Sequence, residues 1–134
     1  MIKRSLSCIM LIDNNPDDNY YHRRVIQKHD PSLKVIEMDS ATDALHYLQS
    51  AEINSIQPDL IFLDINMPGV NGWDFIEQHR EKKQRLHDPL IIMLTTSENP
   101  DDIRRARLSG DVIDCMTKPL TIEMLKSVNK KYFE

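Results

Sequence analysis

The sequence predicts a three-layer α/β domain in which five parallel strands alternate with five helices. Two short segments, residues 60–63 and 90–94, consist entirely of apolar residues, and each begins shortly after a proline. Runs of this length and composition are typical of strands that are buried on both faces, as in the centre of a parallel sheet. Helix-capping signals separate the strand-like segments, and this alternation favours one sheet with right-handed crossovers.

The first strand–helix unit is predicted from residues 7–12, an apolar segment that precedes Asp13. Asn15 is a favourable N-cap, and Pro16 suits the first position of a helix that we expect to end near His29. The inner face of this helix is predicted to contain Tyr21, Val25 and Ile26.

The second unit combines a strand over residues 33–38 with a helix that Ser40 is expected to cap. Residues 51–57 are interpreted as a polar connector to the next strand. The spacing of apolar residues predicts an inner helix face that contains Ala44, Leu45 and Leu48.

The third unit contains the central strand, which Asp64 follows before Pro68 and Gly69 turn the chain. A helix is expected to begin around Gly72. Residues 79–88 are strongly charged and are interpreted as a solvated helix end followed by a long loop. The inner face of the helix is predicted to contain Trp73 and Ile76, flanked by Phe75.

The fourth strand, residues 90–94, leads to Thr95. Asn99 and Pro100 repeat the capping pattern of the first helix and predict the start of a fourth helix. Gly110 is predicted to serve as its C-cap.

The fifth strand is predicted over residues 112–117, immediately before Lys118 and Pro119. Thr121 is expected to cap a last helix that continues to the end of the chain. One face of this helix is predicted to carry Ile122, Leu125 and Val128.

For five strand–helix units of this size, we expect the flavodoxin-like strand order 2-1-3-4-5. Strands one and three then flank the point where the strand order reverses, and a crevice opens at their carboxyl ends. In open α/β sheets this crevice is the place where ligands bind.

The predicted strand ends bring a specific set of polar groups to that crevice: Asp13, Asn14, Asp64, Thr95 and Lys118. Two carboxylates and an amide oxygen are hard ligands that suit Mg²⁺. A carboxylate nucleophile beside a cation, an ammonium and a hydroxyl forms a minimal site for accepting a phosphoryl group. Taken singly, each residue has an ordinary structural role available, such as a helix cap, a core hydroxyl or a surface charge.

Composition excludes several classes of function. The chain has 134 residues, enough for one domain, and a net charge of −4, so it lacks the basic surplus of a nucleic-acid-binding protein. We expect no membrane span and no signal peptide, and a cytoplasmic location. Cys8 and Cys115 are expected to be two buried free thiols, and the histidine spacing does not indicate a zinc site.

The sequence resembles the receiver domains of bacterial two-component response regulators, in particular stand-alone receivers similar to the chemotaxis regulator. The resemblance extends from about residue 5 to residue 133. The segments that carry it are residues 11–16, 62–68 and 94–97 together with Lys118-Pro119. It implies a single receiver domain over residues 1–134 without an output domain, which is not an enzyme beyond catalysing its own phosphorylation and dephosphorylation.

The resemblance also implies residue roles. Asp64 would be the phosphoacceptor for a sensor histidine kinase or a phosphotransfer protein, and the domain would then dock on an unidentified downstream protein. Thr95 and Lys118 would bind the phosphoryl group, and the Lys118–Pro119 peptide bond would be cis. The implied Mg²⁺ ligands are Asp13, Asn14, Asp64 and the main-chain carbonyl of Asn66.

Two positions depart from the family pattern. Asn14 stands where the family usually has a second acid, which predicts weaker Mg²⁺ affinity. Cys115 stands where the family usually has an aromatic switch residue, so Thr95 and the loop after strand four would have to transmit a conformational signal with other partners.

Three alternatives remain open at this point. A degenerate receiver would act as a docking module without phosphorylation, as the substitutions at Asn14 and Cys115 suggest. A phosphatase of the haloacid dehalogenase type would need a second aspartate where Asn66 stands. A flavin-binding relative of flavodoxin would need a Ser/Thr/Gly-rich phosphate loop after strand one, where the chain instead has acidic residues.

Overall fold

The computed structural model describes residues 4–49, 56–81, 88–96 and 99–133. The predicted connector at residues 51–57 and the predicted charged loop at residues 79–88 therefore lie largely outside the described residues.

Five parallel strands form one sheet in the order β2-β1-β3-β4-β5, and a helix follows each strand along the chain. The predicted flavodoxin-like α/β fold is confirmed. The elements are β1 Cys8–Ile12, α1 Pro16–His29, β2 Lys34–Met38, α2 Ala41–Gln49, β3 Leu60–Leu63, α3 Gly72–Glu81, β4 Leu90–Thr95, α4 Pro100–Leu108, β5 Val112–Thr117 and α5 Ile122–Tyr132.

The sheet separates two hydrophobic clusters because successive side chains of a strand point to opposite faces. On β1, Met10 and Ile12 face α2 and α3, whereas Ile9 and Leu11 face α1 and α5. All five residues of β1 and all four of β3 are buried. This two-sided burial explains why their sequences are continuously apolar.

The predicted helix starts are confirmed in detail. The Asn15 side chain accepts hydrogen bonds from the backbone N–H groups of Asp17 and Asp18, and the Asn99 side chain caps α4 by accepting from the Asp101 N–H. Ser40 Oγ accepts from the Asp43 N–H at 3.1 Å. The Thr121 hydroxyl accepts from the Met124 N–H at 3.2 Å.

The predicted inner face of α1 is partly wrong. Ile26 is buried, but Tyr21 is 52% exposed, and Asn19 and His22 occupy the inner positions instead. Burial and the charge of Lys118 lower the pKa of His22, which favours a neutral imidazole. The prediction assumed that only apolar residues face the sheet, but two of the buried residues of α1 are polar.

The predicted end of α4 is also wrong. Ser109 is the C-cap, with φ of −76°, and its N–H donates to the carbonyls of Arg105 and Ala106. Gly110 has no positive φ, so the helix ends without the left-handed turn that a C-capping glycine provides.

Two further expectations need correction. His79, which the charge pattern places in a solvated helix end, is buried and stacks on Phe75 with 5.7 Å between the ring centroids. Both cysteines are free, but only Cys8 is buried, whereas Cys115 is half-buried. Burial raises the pKa of the Cys8 thiol to about 11, and the thiol therefore stays protonated near neutral pH.

Asp59 links the amino-terminal ends of β1 and β3 through hydrogen bonds. Its buried Oδ2 accepts hydrogen bonds from the Ser7 N–H, the Ser7 hydroxyl and the Cys8 N–H at 2.9–3.0 Å. The start of β1 is thereby tied to the residue that precedes β3. Within the described residues, no helix is both long enough and apolar enough to cross a membrane.

Candidate functional site

Lys118 lies at the centre of the crevice at the carboxyl ends of the strands. Its Nζ donates hydrogen bonds to Asp13 Oδ2 at 2.5 Å, Asp18 Oδ2 at 2.9 Å and Asp64 Oδ2 at 3.3 Å. The side chains of Lys118, Asp13 and Asp64 are each less than 10% exposed. Groups that are up to 105 positions apart in the sequence therefore meet in one largely dehydrated ion-pair cluster.

Hydrogen bonds from Asn15 and Asn19 fix the side chain and the main chain of Asp13. The Asn15 N–H donates to Asp13 Oδ1 at 2.9 Å. The buried Asn19 amide donates to the main-chain carbonyls of Asp13 and Met38, which links α1 to the ends of β1 and β2. One carboxylate oxygen of Asp13 is thus engaged by the backbone, and the other faces Lys118.

The loop after β3 positions Asp64. The Asn66 N–H donates to Asp64 Oδ1 at 3.3 Å, and the Gly72 N–H donates to the Ile65 carbonyl at 3.0 Å. The start of α3 is packed against the backbone that carries Asp64. A Cβ atom added at Gly72 would lie 2.6 Å from the Asp64 carbonyl oxygen and 2.9 Å from Ile65 Cα.

We expect Gly72→Ala to lower the free energy of unfolding by about 2 kcal/mol, because the added methyl group can be accommodated only by displacing backbone. The displacement would also move Asp64 relative to Lys118. Denaturant unfolding measures the change. Gly110→Ala is the matched control, since a Cβ there meets no atom within 4 Å. Equal stability of the two variants would show that the contact at Gly72 is not restrictive.

The end of β4 and the end of β5 are joined where Lys118 leaves the sheet. The Lys118 N–H donates to the Thr95 carbonyl at 3.0 Å, and Thr95 pairs with Thr117 in the sheet register. Thr95 is 1% exposed. The Lys118–Pro119 peptide bond is cis.

Burial and charge act against each other in the cluster. Burial raises the pKa of the Asp13 carboxyl, although its hydrogen bonds to Lys118 and Asn15 act to lower it. Burial lowers the pKa of the Lys118 ammonium, but hydrogen bonds to Asp13 and Asp18 and the charge of Asp64 outweigh this and leave the pKa raised. Lys118 is therefore firmly protonated, and the cluster carries more negative charge than one ammonium neutralises.

The structure brings Asp13, Asp64 and Lys118 into direct contact and places Thr95 beside Lys118 through the backbone. Asn14 and Asn66 lie next to the acids with exposed side chains. Cys115 lies two residues before the end of β5, in a cleft of about 200 Å³ between β5 and α4, away from the ion pairs.

Asp18 is a member of the cluster that the sequence pattern did not reveal. An acid in the first turn of a helix ordinarily interacts favourably with the helix dipole, and nothing more is expected of it from the sequence. No spacing rule connects it with Lys118, which is 100 positions away. The contact follows from how α1 packs against β1 and α5 rather than from a local motif.

The donor set is compatible with Mg²⁺. Magnesium binds hard oxygen atoms, usually through one or two carboxylates, and keeps several water ligands. Asp13 and Asp64 supply two carboxylates that share Lys118, and Asn14 and Asn66 are oxygen donors one and two positions from these acids in the sequence. Within the described residues, no group of three or more His, Cys, Asp or Glu is arranged to hold a metal ion.

Comparison with known proteins agrees with this picture. A family model described as the response regulator receiver domain matches residues 9–129. The probable C4-dicarboxylate response regulator DctR of Halalkalibacterium halodurans is 32% identical over 134 residues, which is 100% of this chain and 54% of that protein. The chain spans between 30% and 54% of the length of several curated relatives.

Solved structures share the architecture. A two-component response regulator from Cytophaga hutchinsonii superposes with a TM-score of 0.86 at 27% identity, covering 96% of this chain and 98% of that chain. The Mn(2+)-bound form of response regulator Rcp1 superposes with a TM-score of 0.76 at 23% identity, covering 96% and 95% of the two chains. At 23% identity the second likeness shows the fold alone.

Proposed function

Because the chain belongs to the response regulator receiver domain family of two-component signalling, we propose that Asp64 accepts a phosphoryl group in a phosphorelay. The donor is a phosphohistidine on a sensor histidine kinase or a phosphotransfer protein, and Mg²⁺ is the cofactor. The phosphorylated domain signals by docking on another protein. The observation that carries this proposal is the convergence of Asp13, Asp64 and Lys118 in one buried cluster.

In the transfer step, an oxygen of the Asp64 carboxylate attacks the phosphorus atom of the donor. The O–P bond forms, the P–N bond to the histidine ring breaks, and the bonding electron pair leaves with the imidazole. Asp13 and Asp64 would hold Mg²⁺, which when bound would neutralise negative charge on the phosphoryl group. The chain does little covalent chemistry beyond this, so positioning and charge stabilisation provide most of the catalysis.

Three groups of the chain then hold the product. Lys118 exchanges its 3.3 Å contact with the Asp64 carboxylate for a phosphoryl oxygen, and the Thr95 hydroxyl donates to another. Asp13, Asn14 and the Asn66 carbonyl would hold the cation. The domain is phosphorylated and dephosphorylated in each cycle and does not turn over a separate substrate. It acts as a signalling module in the cytoplasm and needs neither nucleic acid nor membrane as a partner.

Trp73 offers a spectroscopic report of the proposed conformational signal. It is the only tryptophan in the sequence and is located in the first turn of α3, close behind the Asp64 loop. Its Nε1–H donates to Asp102 Oδ1 of α4 at 3.4 Å, and the Arg105 guanidinium lies 4.3 Å from its ring centroid. A rearrangement of the Asp64 loop or of α4 changes this environment.

The proposal is tested by incubating the protein with Mg²⁺ and acetyl phosphate and measuring intact mass. We expect one phosphoryl adduct, which is absent when EDTA removes the metal. Beryllium fluoride, which mimics the phosphoryl group, is expected to change Trp73 fluorescence only when Mg²⁺ is present. The absence of both an adduct and a fluorescence change would contradict the phosphoacceptor role.

A docking module that works without phosphorylation is the second candidate. Two observations favour it: Asn14 supplies no charge to the cation site, and Cys115 has no aromatic bulk to move between β5 and α4. The same experiment separates the two functions, because the docking module predicts neither the adduct nor the fluorescence change.

Asn14→Asp is expected to raise Mg²⁺ affinity about tenfold, because it adds one negative charge next to Asp13 at the cation site. Fluorescence titration of Trp73 with MgCl₂ at constant ionic strength measures the effect. Asn66→Asp adds the same charge in the loop after β3, where the side chain is exposed, and serves as the comparison variant. Asn15→Asp cannot serve because Asn15 caps α1. Unchanged affinity in Asn14→Asp would contradict weakened metal binding by the natural residue.

A further inference from the structure

We propose that Asp18 is a positioning residue for Lys118 and supplies the negative charge that Asn14 does not bring to the site. This inference rests on the proposed phosphoacceptor function and adds to it a residue on α1. It concerns how the ammonium is held before and during phosphoryl transfer.

The geometry of the ammonium group is the first argument. Lys118 has three N–H donors, and three carboxylates accept them: Asp13, Asp18 and Asp64. Two of these acceptors are the proposed cation ligands, and Asp64 is also the proposed nucleophile. Asp18 is the only one of the three without another assigned task, so its hydrogen bond with Lys118 can persist while the other two are exchanged.

The charge of the cluster is the second argument. Three carboxylates and one ammonium leave a formal charge of −2 at the site. A site with an acid at position 14 and none at position 18 would carry the same formal charge. The Asp18 side chain is 38% exposed, so it adds this charge with less loss of hydration than a fully buried acid.

The start of α1 fixes the position of Asp18. The Asn15 side chain accepts from the Asp18 N–H at 3.3 Å, and the Asn15 N–H donates to Asp13 Oδ1. One capping residue, Asn15, is therefore hydrogen-bonded to both acids. Removal of the Asp18 charge is expected to leave this backbone arrangement intact.

Asp17 provides a matched control. It lies one position earlier in the same helical turn, carries the same charge, and its N–H donates to the same Asn15 oxygen at 2.9 Å. Its side chain is exposed, and the ion pairs recorded for Lys118 are with Asp13, Asp18 and Asp64. Asp17→Asn and Asp18→Asn thus change net charge and the helix dipole alike, and differ in the contact with Lys118.

The first test uses metal-free protein and NMR of the Lys118 side chain. We expect Asp18→Asn to shift the Lys118 Cε–Hε resonances, while Asp17→Asn leaves them near the wild-type positions. Similar spectra for the two variants would overturn the inference. Because this measurement requires neither Mg²⁺ nor phosphoryl transfer, it distinguishes failure of the Asp18 contact from failure of the proposed function.

The second test measures Mg²⁺ affinity by Trp73 fluorescence and phosphoryl uptake from acetyl phosphate. Asp18→Asn is expected to weaken Mg²⁺ binding and slow uptake about tenfold, and Asp17→Asn by less than about twofold. The double variant Asn14→Asp/Asp18→Asn is expected to recover Mg²⁺ affinity while the Lys118 resonances stay shifted. Failure of the double variant to recover affinity would show that Asp18 does not replace the charge absent at Asn14.

Discussion

Replacing Asp64 with asparagine is expected to abolish phosphoryl uptake from acetyl phosphate. The amide is isosteric with the carboxylate but has no negatively charged oxygen to attack phosphorus. The amide oxygen would still accept a hydrogen bond from Lys118, and one of three crowded acids would be removed, so we expect the fold to be retained. Intact mass after incubation with Mg²⁺ measures the adduct, and the thermal unfolding midpoint measures the fold.

A matched substitution separates loss of the nucleophile from loss of charge. Asp43 is an exposed acid in the first turn of α2 and does not belong to the ion-pair cluster of Lys118, so Asp43→Asn should take up one phosphoryl group as the wild type does. An adduct of undiminished stoichiometry in Asp64→Asn would place the phosphoryl group on a different residue and contradict the assignment.

Lys118→Met is expected to lower the free energy of unfolding by about 3 kcal/mol and to slow phosphoryl uptake strongly. The substitution leaves the carboxylates of Asp13 and Asp64 buried without their cation, and an unpaired buried charge destabilises far more than a surface pair contributes. Methionine keeps much of the apolar stem, so the change mainly reports the lost ammonium. Denaturant unfolding in EDTA measures the effect.

Magnesium should reverse part of this loss, because a ligand that binds only the folded state raises the free energy of unfolding. Lys126→Met, at an exposed position of α5, serves as the control and should alter stability by no more than about 0.5 kcal/mol. If Lys118→Met were as stable as Lys126→Met in EDTA, the ion-pair cluster would not contribute to stability as described.

The regular elements were predictable because their signals are local. Two-sided burial makes β3 and residues 90–94 of β4 continuously apolar, and an Asn-Pro pair marks the start of both α1 and α4. Signals that depend on the environment were less informative. Tyr21 has the composition of an inner-face residue, but the rotation of α1 on the sheet turns it to solvent. Gly110 is a typical helix terminator, yet Ser109 ends α4 in an extended conformation.

The same distinction between local signals and tertiary packing applies to the residues of the candidate site. Asp13, Asp64, Thr95 and Lys118 could be grouped from the sequence because the ends of parallel strands lie along one edge of a sheet. Asp18 could not, because it is on a helix and its neighbours across the crevice depend on how that helix packs. The roles of the strand-end residues remain predictions that the phosphorylation experiments address.

From the order of its residues alone, this chain specifies five strand–helix units and the identity of the chemical groups at the strand ends, because hydrophobic periodicity and helix capping act over a few neighbouring positions. Three features arise only when the layers pack: the three-carboxylate environment of Lys118, the burial of His79 and the backbone contact at Gly72. Each depends on groups that are not neighbours in the sequence. The burial of apolar surface on both faces of the sheet brings these groups together.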